Sequence, residues 1–374
     1  MISYSCLERE HLALHPYWAF CTKSGVRMID RIDAQRIERL NAPQPEGQST
    51  EWLDVAANNY GFFSKRDYPY LPANEKDFLL GVFGGSVAQW FCLQQGRAFA
   101  EELAANLREY RRVEILNFGL GAFKQPQSML TFAYFLVLGQ QFDAVLLLDG
   151  FNEAALSWIN ASRGTACALP TIAYADMFRD SACLYELKVP ERSVSDRVNE
   201  IASLWEAGAR MMRETCSERR IPFFHVLQPN QYYSRKPFSE EEHSIALSHA
   251  SPYREGVTLL YPELADRMRK MRGSVSNVFD ATGIFDDQTE TVYSDNCCHY
   301  NRLGNEILGK FILTGMLEKR ARRGLECRGG RRLRGRGIQG WIHDWFRPRN
   351  VVRPKPPSDP AGEGTEKDDL YPMW

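Results

Sequence analysis

Long apolar runs are missing from this chain; none approaches the ~18 consecutive residues that a membrane-crossing helix needs. A secretory leader is missing too. Met1 to Phe20 carries Glu8, Glu10, His11 and His15 and lacks the basic-then-apolar layout of a signal peptide, so a native start here would place the protein in the cytoplasm. The nine cysteines contain no C-x-x-C and no metal spacing, and the one close pair, Cys297–Cys298, is vicinal and bridges only under strain. Free thiols are therefore expected, with no structural metal. No nucleotide-binding glycine fingerprint appears, so no cofactor is implied.

An excess charge of one sign is also absent, the formal net charge being −1. That balance hides an asymmetry. Residues 318–356 hold thirteen Lys/Arg against three acids, whereas 357–374 hold one base against five acids, leaving the body mildly acidic. Such a distribution gives no uniform footprint for nucleic acid, and no specific nucleic-acid partner is expected. What the chain does have is length and apolar content. Its 374 residues, 44% hydrophobic and 25% charged, can bury a sizeable core.

Short apolar runs alternate with helical periodicity. Strands are expected at Phe78–Phe83, Val113–Phe118, Ala144–Leu148, Pro222–Leu227 and Val275–Asp280. Helices are expected at Val87–Tyr110, Met129–Gly139, Arg197–Glu218 and Arg302–Leu317. Strands separated by helices imply parallel crossovers, hence a three-layer α/β/α sandwich around a flavodoxin-like parallel sheet. Residues 1–73 read as an irregular cap on a catalytic domain of 74–317. Two insertions, 154–195 and 229–275, leave from carboxyl ends of strands and read as lids, specificity loops or plain peripheral packing. Within 229–275, Ser239-Glu240-Glu241-Glu242 has the pattern of a capped helix start. Residues 318–374 read as a mostly disordered tail, with a short amphipathic helix possible at Ile338–Phe346. The basic cluster with Trp341, Trp345 and Phe346 resembles an interfacial anchor, so weak contact of 318–349 with an anionic membrane is expected beside the plainer reading of a solvated tail.

Four polar elements fall at strand ends. Gly84-Gly85-Ser86 follows a strand and opens a helix, where Ser86 either caps the helix or presents its hydroxyl. Asn117-Phe118-Gly119-Leu120-Gly121-Ala122 is a glycine-rich turn, and Gly150-Phe151-Asn152-Glu153 ends the third strand. Ser294-Asp295-Asn296-Cys297-Cys298-His299 offers a carboxylate and an imidazole that can pair. His225, inside an apolar strand, reads as a satisfied core or crevice histidine. A Cys–His nucleophile at Cys297 or Cys298 is the weaker competitor of Ser86.

Taken in chain order, this set resembles the SGNH branch of the GDSL-type serine ester hydrolases, its bacterial carbohydrate-esterase-like members in particular. The resemblance spans roughly 58 to 315 and includes Asn58-Asn59-Tyr60-Gly61-Phe62 upstream and Tyr300-Asn301-Arg302-Leu303-Gly304-Asn305 after the histidine. It implies the SGNH hydrolase fold with Ser86 as nucleophile, His299 as general base and Asp295 orienting it. The oxyanion hole would comprise the Ser86 N–H, the Gly121/Ala122 turn and the Asn152 amide. It further implies a small-molecule or carbohydrate acyl-ester substrate, with O-deacetylation leading. Acyl transfer, lipase or thioesterase activity and a catalytically silent binding or membrane-associated module are the alternatives.

Three departures accompany it. The family's acid lies three residues before the histidine, where this chain has Asn296; Asp295 lies four before. Either the loop bulges by one residue or His299 works without a carboxylate. The turn's glycine falls one place early, so Ala122 serves as a donor only if its φ is negative. Gly85 stands where the family name has Asp, a common variant.

Overall fold

A computed structural model describes residues 12–15, 17–31, 52–72, 74–172, 189–274 and 277–323. The chain divides into a unit of residues 1–330 and one of 331–374, and every described residue lies in the first. The expectations for the tail beyond 323, its helix at Ile338–Phe346 and its membrane contact included, fall outside the described residues.

Five strands make the central sheet: β5 (Asp77–Gly84), β6 (Arg112–Gly119), β7 (Ala144–Asp149), β8 (Phe223–Leu227) and β9 (Val278–Asp280). They lie in the order β6-β5-β7-β8-β9 with every pair parallel. This is the doubly wound flavodoxin-like order, whose ligand crevice opens at the carboxyl ends of the strands. Both faces are covered, which is why β5, β7 and β8 are buried along their full lengths and read as continuous apolar runs.

Side chains of successive residues alternate between the two faces. Leu79, Phe83, Val145, Leu147 and Phe223 pack with Phe132 and Phe135 of α3 (Gln127–Val137) and with Ala209, Met212 and Cys216 of α5 (Val194–Glu218). Leu80, Val82, Leu146, Leu148 and Val226 meet a second layer. It includes α1 (Ser86–Gln94), α2 (Gly96–Asn106), α4 (Phe151–Ser162), α7 (Arg254–Ser274) and α8 (Arg302–Arg323). No helix among the described residues is long and apolar enough to cross a membrane.

The structure departs from the sequence reading in four places. The helix expected over Val87–Tyr110 breaks at Gln95, and α2 restarts at Gly96, a poor helix former. The segment read as a polar insertion, 229–275, contains the 21-residue α7, whose Val257, Leu260, Tyr261, Leu264 and Met268 are buried. That helix is structurally required, because β8 and β9 are parallel and need a crossover between them. Helix α8 runs on to Arg323, six residues past its expected end. Finally, the N-terminal region holds two antiparallel ladders, β1 (Leu12–His15) with β2 (Ala19–Thr22) and β3 (Arg27–Arg31) with β4 (Trp52–Ala56).

Candidate active site

Ser86 owes its position to the sharp exit from β5. Gly84 has φ +146°, and a Cβ there would collide with the Leu148 carbonyl oxygen. Gly85 is the N-cap of α1, and a Cβ on it would meet the Asn152 amide. Two glycines are thus needed for the chain to turn between β7 and α4 without a clash. Ser86 occupies the first helical position, and no side chain caps this helix. Its hydroxyl is left for another partner.

That partner comes from 213 residues further along. Ser86 Oγ lies 2.7 Å from His299 Nε2, and His299 Nδ1 lies 2.5 Å from Asp295 Oδ2. Asp295 sits in a closed loop: Tyr293 and Tyr300 pair across it, and the Ser294 N–H donates to the His299 carbonyl at 3.0 Å. Asp295 Oδ1 accepts from the N–H groups of Cys297, Cys298 and His299 at 2.9, 3.0 and 3.2 Å. The chain curls around that one oxygen, and the curl absorbs the extra residue between the carboxylate and the imidazole. Of the two arrangements compatible with the sequence, the loop adopts the bulged one, with the carboxylate on the ring.

The electrostatics follow from the burial of this set. Burial by itself would raise the Asp295 pKa, but the His299 charge, the hydrogen bond to its ring and the backbone donors outweigh it and hold the carboxyl below its ordinary value. Burial would likewise lower His299, yet the neighbouring Cys298 sulfur and Asp295 carboxylate raise it well above 6.5. Cys298 is buried, with its Sγ 3.9 Å from Ser86 Oγ. Its thiol is drawn down, against the effect of burial, by a hydrogen bond from Cys297 and the charge of His299.

The other expected donors are distributed unevenly. Asn152, buried at the start of α4, donates one amide hydrogen to the Phe123 carbonyl at 2.7 Å and rests against Gly85 beside the serine. The Gly121 N–H is occupied by Gln89 Oε1 at 3.3 Å. Ala122 has φ +64°, not the negative value expected for a non-glycine donor, and its N–H has no hydrogen-bond partner among the described residues. The Phe123 N–H donates to the Leu120 carbonyl at 3.0 Å and closes this turn. Phe20 and Phe62 pack on Phe123 from the N-terminal region, so those early residues back the turn.

His225 is buried, and its Nε2 lies 2.9 Å from Asp149 Oδ1, which also accepts from Trp205 Nε1 at 2.8 Å. It belongs to the core beneath the site.

Sequence reasoning missed the residues that hold the Asp295 loop in place. Gln231 Nε2 donates to the Asp295 carbonyl, Tyr232 Oη and Ser251 Oγ to that of Asn296, and Asn230 Nδ2 to that of Cys297, at 2.8 to 3.2 Å. Glu242, on α6 (Glu240–Ala246), accepts from the N–H groups of Val292 and Tyr293 and pairs with Lys236 Nζ at 2.6 Å, both side chains being fully buried. The available signal was Asn230-Gln231-Tyr232 at the carboxyl end of β8, where an open α/β sheet builds its site. The segment thus supports the site from behind, a role outside the lid, specificity-loop and peripheral readings.

The six cysteines among the described residues are free thiols. Ser86, His299 and Asp295 together can transfer a proton from a hydroxyl to an imidazole and stabilise the cation formed.

No protein-family profile matches the chain, and no curated protein matches it. Solved structures do. An acetyl xylan esterase is 15% identical over 63% of this chain and 98% of its own, with TM-score 0.34. The acetylxylan esterase Axe2 from Geobacillus stearothermophilus is 14% identical over 65% and 94%, with TM-score 0.36. A member of the lipolytic G-D-S-L family from Veillonella parvula is 11% identical over 63% and 97%, with TM-score 0.32. At such identities and TM-scores the chemistry must be argued from the side chains themselves.

Proposed function

We propose that this chain is a serine ester hydrolase acting through an acyl-enzyme on Ser86. One observation carries the reading: the continuous chain from Ser86 Oγ to His299 Nε2 at 2.7 Å and from His299 Nδ1 to Asp295 Oδ2 at 2.5 Å. A serine hydroxyl is a weak nucleophile until a base within hydrogen-bond reach takes its proton.

In this mechanism Ser86 Oγ attacks the ester carbonyl carbon while its proton passes to His299 Nε2. Asp295 keeps Nδ1 protonated and stabilises the imidazolium. The oxyanion is met by the Ser86 N–H and the second amide hydrogen of Asn152, with the unoccupied Ala122 N–H as a third donor, because the positive φ strains that residue without blocking its N–H. His299 then protonates the departing alkoxide, leaving acyl-Ser86. Water attacks that ester in turn, again giving its proton to His299, and the carboxylic acid leaves. An acceptor alcohol in place of water would turn hydrolysis into acyl transfer with the same groups.

A short acyl group such as acetyl is proposed on the resemblance of the ordered site motifs to carbohydrate esterases. A carbohydrate is proposed as the alcohol, on the resemblance of the Asn58-to-Phe62 element and the ordered site motifs to carbohydrate esterases. The test is release of p-nitrophenol from an acyl-chain series and of acetate from acetylated oligosaccharides, comparing wild type with Ser86→Ala. Serine-dependent turnover that falls with chain length is expected. A folded wild type that neither turns over these esters nor is labelled at Ser86 by a serine-directed phosphonate would overturn the proposal.

A further inference from the structure

The ester chemistry uses neither sulfur of the Cys297–Cys298 pair, although both stand at the base. We propose that Cys297, Cys298 and His299 form a site for a thiophilic metal cation, Zn2+ in the first instance, whose binding switches the enzyme off.

The two Sγ atoms are 3.7 Å apart. Tetrahedral zinc with Zn–S bonds of ~2.3 Å places two sulfur ligands about 3.8 Å apart, so the pair already has the required bite. The two sulfurs and a ring nitrogen of His299 lie within 4.8 Å of one another, against about 3.6 Å for a sulfur and a nitrogen on one zinc. A movement of about an ångström closes the set.

Three consecutive residues seldom present ligands to one point, since in an extended chain neighbouring side chains face opposite ways. Here the chain curls with all three N–H groups on Asp295 Oδ1, and the curl fans the three side chains to one side. This local geometry is why ordinary ligand spacing fails to reveal the site.

Nε2 is the nitrogen concerned, because it bonds Ser86 Oγ, the atom that Cys298 Sγ also approaches. Asp295 remains on Nδ1 and gives the carboxylate–histidine–metal arrangement that orients metal-bound imidazoles. Cys297, only partly buried, provides the entry.

Each coordinating thiol releases its proton to solvent, as does Nε2 of a protonated His299, and no redox change occurs. With its Nε2 lone pair on the metal, His299 cannot accept the Ser86 proton. Three protein ligands leave a fourth position for water, which makes the site open and exchangeable rather than structural.

The test uses the full chain, reduced and stripped with chelator, titrated with Cd2+ and read by the thiolate-to-Cd2+ charge-transfer band, with Zn2+ as competitor. One ion per chain is expected. Binding should weaken at least ~10-fold in Cys297→Ser and in Cys298→Ser, since even an outer-shell loss costs that much. The site's band should vanish in the double variant and persist in Ser86→Ala. Unchanged stoichiometry and affinity in the double variant would overturn the site. Inhibition rests on the esterase reading, whereas the spectral measurement does not, so failure of either is recognised separately. Zn2+ should inhibit ester turnover reversibly by chelator, and Cys297→Ser should need ~10-fold more Zn2+ relative to its own metal-free rate. Zn2+ bound at this site without loss of turnover would overturn the inhibitory role.

Discussion

Asparagine at position 295 should be far more damaging than its near-identical shape suggests. Asp295 Oδ1 accepts three backbone N–H groups, and only an oxygen can stay there. In Asp295→Asn the amide oxygen therefore keeps the Oδ1 place, and the NH2 group falls where Oδ2 meets His299 Nδ1. An NH2 group donates, so Nδ1 must accept, and the ring proton moves to Nε2. Nε2 then points a hydrogen at Ser86 Oγ and has no lone pair for the serine proton. Flipping the amide would set its two hydrogens against three N–H donors, so the wrong tautomer is locked in. A tautomer error of this kind in a serine triad costs ~10⁴-fold in kcat, about 5 kcal/mol of transition-state stabilisation. The assay is kcat and KM on p-nitrophenyl acetate, alongside a urea unfolding curve to verify folding. A folded Asp295→Asn retaining a tenth or more of wild-type kcat would refute the reasoning.

Asn152→Ala should lower kcat by ~10²–10³ with little change in KM if its amide meets the oxyanion, and a KM-only effect would remove it from that role. The base must be neutral to act, so kcat/KM rises with pH through the His299 ionisation. Cys298 is one of the neighbours that raise this pKa, hence Cys298→Ser should move the acid limb of the profile to lower pH, and a fixed or upward limb would refute the coupling. Glu242→Ala leaves the Lys236 ammonium buried without its partner and strips an acceptor from two N–H groups, so a loss of about 3–5 kcal/mol in urea unfolding is expected. A loss below about 1 kcal/mol would show that water reaches the pair.

The sheet was legible because its strands are buried on both faces: FLLGVF and AVLLL carry no competing helical pattern. The residues brought together at the candidate site were legible for a related reason, since Gly84-Gly85-Ser86 and the Asp295–His299 loop fall directly at strand and helix ends. Helix α7 was not, because Pro262 and the run of charges from Asp266 to Lys270 obscure an apolar stripe that only the β8-to-β9 crossover makes necessary. The offset of Asp295 was ambiguous because sequence spacing counts residues, while the relevant quantity is how many N–H groups one oxygen gathers. The clamp on the Asp295, Asn296 and Cys297 carbonyls was invisible. Side-chain donors aimed at backbone oxygens some 45 to 67 residues away leave no periodicity or motif.

That clamp makes the durability of the activity different from the durability of the fold. The bonds that fix the base come from residues 230–251, a stretch with a three-residue 3-10 turn, one short α-helix and otherwise irregular backbone, whereas the sheet is fixed by its own ladders and two apolar layers. Segments held mainly by side-chain bonds open at lower free energy than core strands. On heating, or on nicking by a protease between Ser234 and Ser248, Asp295 and His299 would lose their anchorage while β5 still carries Ser86 in place. The thermal half-life of turnover and the melting of the sheet are then two separate quantities, and the first can be lengthened by stiffening this stretch alone.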